Sequence, residues 1–414
     1  MPSLKKVNVK DKTVLLRADF DVPLVGAGEG LKVGDDFRMQ QALPTIKHLV
    51  EHSAKVIIVA HLGRPKEWDR SKSLLPVAGH LANMMGYKFM AIDKSAPRLP
   101  HYQMPHVFFF AEDFRQDTVK KMLADLNPKD IAVLENLKFY PGEKDGSQEF
   151  AKALAALADL FVSDAFGSSY DGRASLAVVP RYLPHFAGME LEKEVAVLSQ
   201  ILRKPGRPYV LMVGGIKLSD KLEGLKGMME KIDGAVVGGG LASLFFEALG
   251  YNVGKSVIDR ECKRGAADLI RNFRDKINLP VDVVVARAQD RPETLRVTTP
   301  DKIMPAEMVL DIGPSTIKKF SKILKDAQTI VWSGPMGLFE EESFSHGTKA
   351  LGWLVSSRGS RTRQVIAGGG NTLDAVRLIK AQDDFDFLST GGSAMLLFLS
   401  GAKMPGIEAL KNQN

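Results

Sequence analysis

In the second half of the chain, short apolar runs end seven times in glycine or in a small or charged turn. The runs are Tyr209–Gly215, Ala235–Gly240, Val281–Ala286, Met308–Gly313, Thr329–Gly334, Gln364–Gly370 and Phe387–Gly392. Runs this short and this rich in Val and Ile predict strands buried on both faces, as in a parallel sheet. The first half repeats the pattern. Candidate strands are Val14–Ala18, Lys55–Ala60, Val107–Ala111, Ile131–Leu134 and Leu160–Ser163, and helical stretches are Met39–His52, Pro76–Met85, Asp117–Leu126 and Gln148–Ala158. Such alternation in both halves predicts an α/β protein of two domains, each with a mainly parallel sheet. Between the halves, apolar residues at 191, 195, 198, 201 and 202 fall close to a helical period, bracketed by Pro184 and Lys204-Pro205-Gly206. Met189–Arg203 therefore reads as a helix joining the two domains.

The length of 414 residues agrees with two or three domains, and 45% hydrophobic with 25% charged residues is an ordinary globular composition. No run of about 18 apolar residues occurs, so no membrane span is expected. The first residues, MPSLKKVNVKDK, lack the apolar stretch of a signal peptide. A single cysteine, Cys262, excludes an intramolecular disulfide and suits a reducing compartment, so a cytoplasmic location is expected. Cys262 itself reads as a surface or half-buried thiol on a helix. The net charge of +7 is spread along the chain. It suits an acidic small molecule at least as well as nucleic acid, and no basic run with interleaved aromatics is present. The expected partners are small-molecule substrates, without nucleic acid or membrane, and the expected state is a monomer.

Glycine at the carboxyl end of a buried strand lets a ligand approach the backbone, and the helix that follows offers free N–H groups and a positive dipole end. Several such ends on one sheet make an anion site, most often for phosphate. The common nucleotide signatures, GxxxxGK[ST] and GxGxxG after the first strand, are absent. In the front half, strand ends gather basic and polar residues in RADFDVP (17–23), AHLGRP (60–65), LENLKFY (134–140) and SDAFGSS (163–169). Strand ends on one sheet edge are close in space, so His61, Arg64, Arg38 and Lys138 are expected to converge into a basic cluster that fits a phosphorylated acid. Any one of them alone reads as a solvated surface cation. In the back half, VGGIKLSDK sets Lys217 and Lys221 four apart at a helix start, on one face over a Gly-Gly turn, where they can neutralise transferring phosphate charge.

The order RADFDVP, AHLGRP, LENLKF, SDAFG, VGGIKLSDK, VVGGGLA, LDIGPST, WSGPMGLFE, GGGNT and STGGSA closely resembles the phosphoglycerate kinase family, from residue 14 to about 407. The resemblance implies two Rossmann-like parallel-sheet domains joined by a hinge helix. Residues 1–188 would form a phosphoglycerate-binding domain, 189–204 the hinge and 205–395 a nucleotide-binding domain, with 396–414 returning to the first. It implies phosphoryl transfer between 1,3-bisphosphoglycerate and ADP, with Mg2+ as the nucleotide's companion ion and domain closure bringing the substrates together. The implied phosphoglycerate side is Asp19, Asp21, Arg38, His61, Arg64, Lys138, Asp171 and Arg173. The implied nucleotide side is Gly215, Lys217, Lys221, Gly239, Gly313, Pro335, Glu340, Gly369, Gly370, Asn371 and Thr372. Lys217, Arg38 and Gly370 carry the implied catalytic roles, and Asn371 would reach the metal.

The chain departs from that family pattern inside its motifs. Asp21 replaces an asparagine, Lys138 an arginine, Asp171 an arginine and Arg173 a histidine. Ser333 replaces an asparagine, and Asn371 an aspartate expected at Mg2+. An amide oxygen still coordinates the ion but brings no charge, and Asp374 lies one turn further on. On the phosphoglycerate side the changes sum to about −2. They leave a second reading open: a non-catalytic relative that binds nucleotide or a partner.

Overall fold

The computed structural model describes residues 1–414 apart from 93–95, 97, 217, 358–362 and 412–414, and gives only the backbone of Glu29 and of 218–220. Among the described residues the chain divides into two units, Met1–Val195 with Lys403–Asn414, and Ala196–Ala402. The division falls inside the helix Met189–Arg203. The returning segment, read from the sequence as starting at residue 396, starts at Lys403. The helix Ser393–Ser400 instead packs on Leu218–Met228, and Gly224 and Gly227 leave room there for Leu396 and Ser400.

The first unit is built on seven parallel strands in the spatial order Lys88–Ala91, His106–Phe110, Ile131–Leu134, Lys55–Val59, Thr13–Arg17, Leu160–Ser163 and His185–Ala187. The inner strands are buried along their length, which is why their sequences are continuous runs rather than alternations. Burying each Val, Leu or Ile contributes about 1.5–3 kcal/mol. Arg17 is in register with Val59 on one side and Ser163 on the other, so three strands end level with one another. Chain order reverses between Thr13–Arg17 and Leu160–Ser163, which makes this edge the switch point where α/β sheets bind ligands.

The helix Met189–Arg203 is anchored in the first unit by its amino end. Thr45 Oγ1 accepts the Met189 N–H at 2.8 Å, and Asp164 Oδ1 accepts those of Glu190 and Leu191 at 3.0 and 3.1 Å. A side chain at Gly188 would run into that carboxylate. Both ends of the chain join this unit. The Pro2 carbonyl accepts the Ala187 N–H at 2.9 Å, and the short helix Pro405–Ala409 packs on Ala174–Val178, with Gly406 N–H donating to Ser169 O at 2.9 Å.

The second unit has six parallel strands in the order Ile277–Asn278, Gly234–Val237, Tyr209–Val213, Thr329–Ser333, Gln364–Gly368 and Phe387–Ser389. Two of the predicted strands do not belong to it. Val283–Ala286 and Met308–Ile312 pair antiparallel in a separate three-stranded sheet with Arg296–Thr298. Their apolar runs match those of the parallel strands because a buried strand carries no mark of its direction. Val213 is in register with Val237 and Ser333, so Gly214, Gly238 and Gly334 stand together at one edge.

Candidate active site

The front basin is assembled by level strand ends. Asp19 and Asp21 follow Thr13–Arg17, His61 follows Lys55–Val59, Lys138 lies just beyond Ile131–Leu134, and Arg38 opens the helix Phe37–Glu51. The Gly63 N–H donates to Asp21 Oδ1 at 2.7 Å, and Lys138 Nζ donates to Gly63 O at 2.7 Å, so one glycine ties an acid and a base into the same loop. Gly63 has φ +65°, which a side chain would strain. Arg38 donates to Asp21 O at 2.8 Å and lies 3.6 Å from Asp19 Oδ1 and 3.5 Å from Asp21 Oδ2. His61 Nε2 is 3.7 Å from Asp21 Oδ2. Asp21 thus sits among Arg38, His61 and the Gly63 amide.

Burial pulls the Arg38 guanidinium down, but Asp19 and Asp21 outweigh it and hold it above its ordinary value. His61 is driven well below the usual histidine range by burial, then by Arg17, Lys138, Arg38 and Arg173. It is therefore a neutral imidazole among cations. Burial lowers Lys138 to about 8; Asp21 opposes that shift, and Arg173, Arg17 and Arg64 add to it. Arg173 Nε is bound to Asp171 Oδ2 at 2.6 Å, and the pair is partly open to solvent. Arg173 lies within the electrostatic reach of His61 and Lys138, so this loop borders the same basin. Arg64 is exposed at its rim.

The back site is an edge of glycine turns. A side chain at Gly214, Gly238 or Gly334 would strike the backbone of a neighbouring turn. The buried Lys221 ammonium donates to Gly214 O and, at 3.2 Å, to Ser333 O. Gly239 has φ +57°, and a Cβ there would lie 2.6 Å from Gly215 N and 3.0 Å from Pro335 O. Thr372 Oγ1 donates to Gly368 O and accepts from Gly334 N, both at 2.8 Å, so this hydroxyl is spent on joining two strand ends. Gly369, at φ +97°, precedes the helix Gly370–Leu378. Among the described residues, nothing beyond the adjoining residues and the helix's own backbone lies within 4 Å of where a Cβ at Gly370 would sit. That open space lies at the start of the helix, whose first N–H groups are the donor set that suits phosphate oxygens.

Asn371 is exposed beside that space. Asp374 is held by Arg377 at 2.6 Å, which occupies the carboxylate considered as a second metal ligand. Among the described residues no cluster of three or more His, Cys, Asp or Glu could hold a metal ion. Gly313 starts the helix Pro314–Asp326 against the Asp282 carboxylate. The Leu338 N–H donates to Leu310 O at 2.7 Å, which ties the loop of Pro335 and exposed Glu340 to the small sheet. Lys217 lies outside the described residues. Two exposed apolar side chains escaped the sequence reading: Ile216 and Val257, each 61% exposed, flank Gly240. Arg17, Ser175 and Glu143, behind His61, escaped it too.

Two parallel-sheet units, one with a basic basin and one with a glycine edge at the strand ends, define an α/β phosphotransferase. The phosphoglycerate kinase family model matches residues 4–402, and the chain belongs to that family. It is 40% identical to the phosphoglycerate kinase of Desulfosudis oleivorans over 99% of both chains. It is 36% identical to that of Dictyoglomus turgidum, over 99% of this chain and 98% of the relative. Its fold is similar to the solved phosphoglycerate kinases of Pyrococcus horikoshii OT3 (TM-score 0.81, 26% identity) and Coxiella burnetii (TM-score 0.73, 34% identity), each over 99% of this chain and 98% of the other.

Proposed function

We propose that this kinase transfers a phosphoryl group reversibly between 1,3-bisphosphoglycerate and ADP, giving 3-phosphoglycerate and ATP, as a monomer in the cytoplasm. In this reading the phosphoglycerate lies in the basin of Asp19, Asp21, Arg38, His61, Arg64, Lys138 and Arg173. The nucleotide lies along Gly215, Gly239, Gly313, Pro335 and Glu340, with its phosphates at Gly369 and Gly370. The observation that carries it is the basin, where Arg38, Lys138 and a neutral His61 gather round Asp21. Arginine forks match a carboxylate or phosphate bidentately. A neutral imidazole donates to an anion without the cost of a buried charge.

Ile216 and Val257 suit the flat faces of a base, and the Gly370 space suits phosphate oxygens. Phosphoryl transfer needs positioning and charge neutralisation and no covalent enzyme intermediate. Lys217 would meet the transferring group, while the Lys221 ammonium keeps the glycine turns closed on one another. The amide oxygen of Asn371 would be the protein's ligand to Mg2+, which neutralises nucleotide phosphate charge when bound. The test is a coupled assay with 3-phosphoglycerate, MgATP and a reporter for the acyl phosphate. Turnover is expected. Nucleotide binding without turnover would instead support the non-catalytic reading.

A further inference from the structure

Behind the basin, a buried line of side chains runs from Glu143 to His61. Glu143 sits in the short helix Pro141–Lys144, Ser175 follows the SDAFG loop, and Arg17 ends its strand; all three are buried. Both oxygens of Glu143 accept from Ser175: Oε2 from its N–H at 2.9 Å and Oε1 from its hydroxyl at 2.7 Å. The single hydroxyl proton is thereby used, and the Ser175 oxygen accepts from Arg17 Nε at 3.0 Å. Arg17 donates through Nη1 to Ala18 O at 2.5 Å, and its Nη2 stands 3.1 Å from His61 Nδ1. A guanidinium has donors and no acceptor, so every contact Arg17 makes runs outward from it. His61 Nδ1 must carry the lone pair. The proton is then on Nε2, on the side of Asp21 and the basin.

We propose that Arg17 is a positioning residue that locks His61 as its neutral Nε2–H tautomer, so that the basin meets its anionic ligand with a fixed imidazole donor. Protonation would set an Nδ1–H against the Arg17 N–H, donor against donor, so the same contact opposes the imidazolium. Ser175 and Glu143 hold the guanidinium in place from behind. What the donor meets rests on the proposed function; the tautomer does not.

The test is long-range 1H–15N correlation on histidine-labelled, ligand-free protein, with His61 assigned from the peaks lost in His61→Asn. The expected pattern is one tautomer, with Nδ1 unprotonated and Nε2 protonated. Arg17→Met should release it to a mixture and raise the KM for 3-phosphoglycerate about tenfold, the loss of about one hydrogen bond, with kcat held. Arg17→Lys, which keeps a donor, should restore the single form. A role in stability alone would lower Tm and leave the tautomer unchanged. An Nδ1–H form or a mixture in the parent overturns the proposal, and so does a folded Arg17→Met with the parent pattern. The parent spectrum decides even if Arg17→Met does not fold. A locked tautomer in a protein without turnover would sink the proposed function and leave this inference standing.

Discussion

Lys138 gives the basin a pH dependence that an arginine would not. Its ammonium is lowered to about 8 by burial, with Asp21 opposing and Arg173, Arg17 and Arg64 contributing. The arginines stay protonated across the working range, and His61 stays neutral, so Lys138 is the basin group that changes charge just above neutrality. About nine-tenths of Lys138 is charged near pH 7, and about one-tenth near pH 9. If binding needs the ammonium, the apparent Kd for 3-phosphoglycerate rises about tenfold over that interval, or about 1.4 kcal/mol. The sign follows from linkage: the bound anion favours the protonated form, so affinity is complete below the free-site pKa and falls as pH climbs through it. A saturating ligand keeps Lys138 charged, so KM should move and kcat should not. The substrate's own phosphate, with a second pKa near 6, is already dianionic throughout. The assay is calorimetric titration and steady-state KM at constant ionic strength from about pH 7 to about pH 9, on parent and Lys138→Arg. The variant should give a flat profile. A variant that weakens as steeply as the parent would refute the reasoning, because another group would then be losing the proton.

The Arg173–Asp171 pair at 2.6 Å holds a guanidinium beside the basin. Arg173→Ala should weaken 3-phosphoglycerate about tenfold or more and Asp171→Arg should tighten it; titrations unmoved by both would put the pair outside the site. Lys217→Ala should lower kcat far more than it raises the nucleotide Kd, and equal losses in single-turnover and binding measurements would argue against a role in transfer. Asn371→Asp should lower the Mg2+ concentration for half-maximal rate, and an unmoved Mg2+ titration would take Asn371 out of the metal shell. Gly370→Ala places a methyl where no other described side chain lies within 4 Å, so Tm should hold while nucleotide affinity drops; intact affinity by calorimetry would place the phosphates elsewhere.

The buried strands were legible because parallel strands covered on both faces must be apolar throughout, as Val14–Leu16 and Val56–Val59 are. Strand direction was not, and Val283–Ala286 and Met308–Ile312 moved to an antiparallel sheet for that reason. Lys88–Ala91 went unread although Phe89, Met90 and Ala91 are apolar: the run is short, and the strand lies largely exposed at the sheet edge. The basin residues could be listed from their strand ends, but the Gly63 loop that draws Asp21 and Lys138 together is a tertiary contact. The line behind His61 was invisible because Arg17 and Ser175 are 158 positions apart, and buried polar partners are chosen by the fold rather than by spacing. Thr372 sat in a legible motif, yet its hydroxyl serves the backbone of two strand ends.

The helix Pro405–Ala409, packed under Ala174–Val178, imposes an order on synthesis. A growing chain delivers its amino-terminal part first, and such parts begin to fold as they emerge. Here the first unit must wait for residues made after all of Ala196–Ala402 before the Ser169 carbonyl receives the Gly406 amide. A product cut at Ala402 would hold every residue of the second unit, yet leave the segment that carries Arg173 and Ser175 without its underlying helix. Residues 405–409, made after the whole second unit, thus complete the packing of the segment that carries Arg173 and Ser175. Moving the helix to the front by circular permutation should let the first unit finish folding before the second is made.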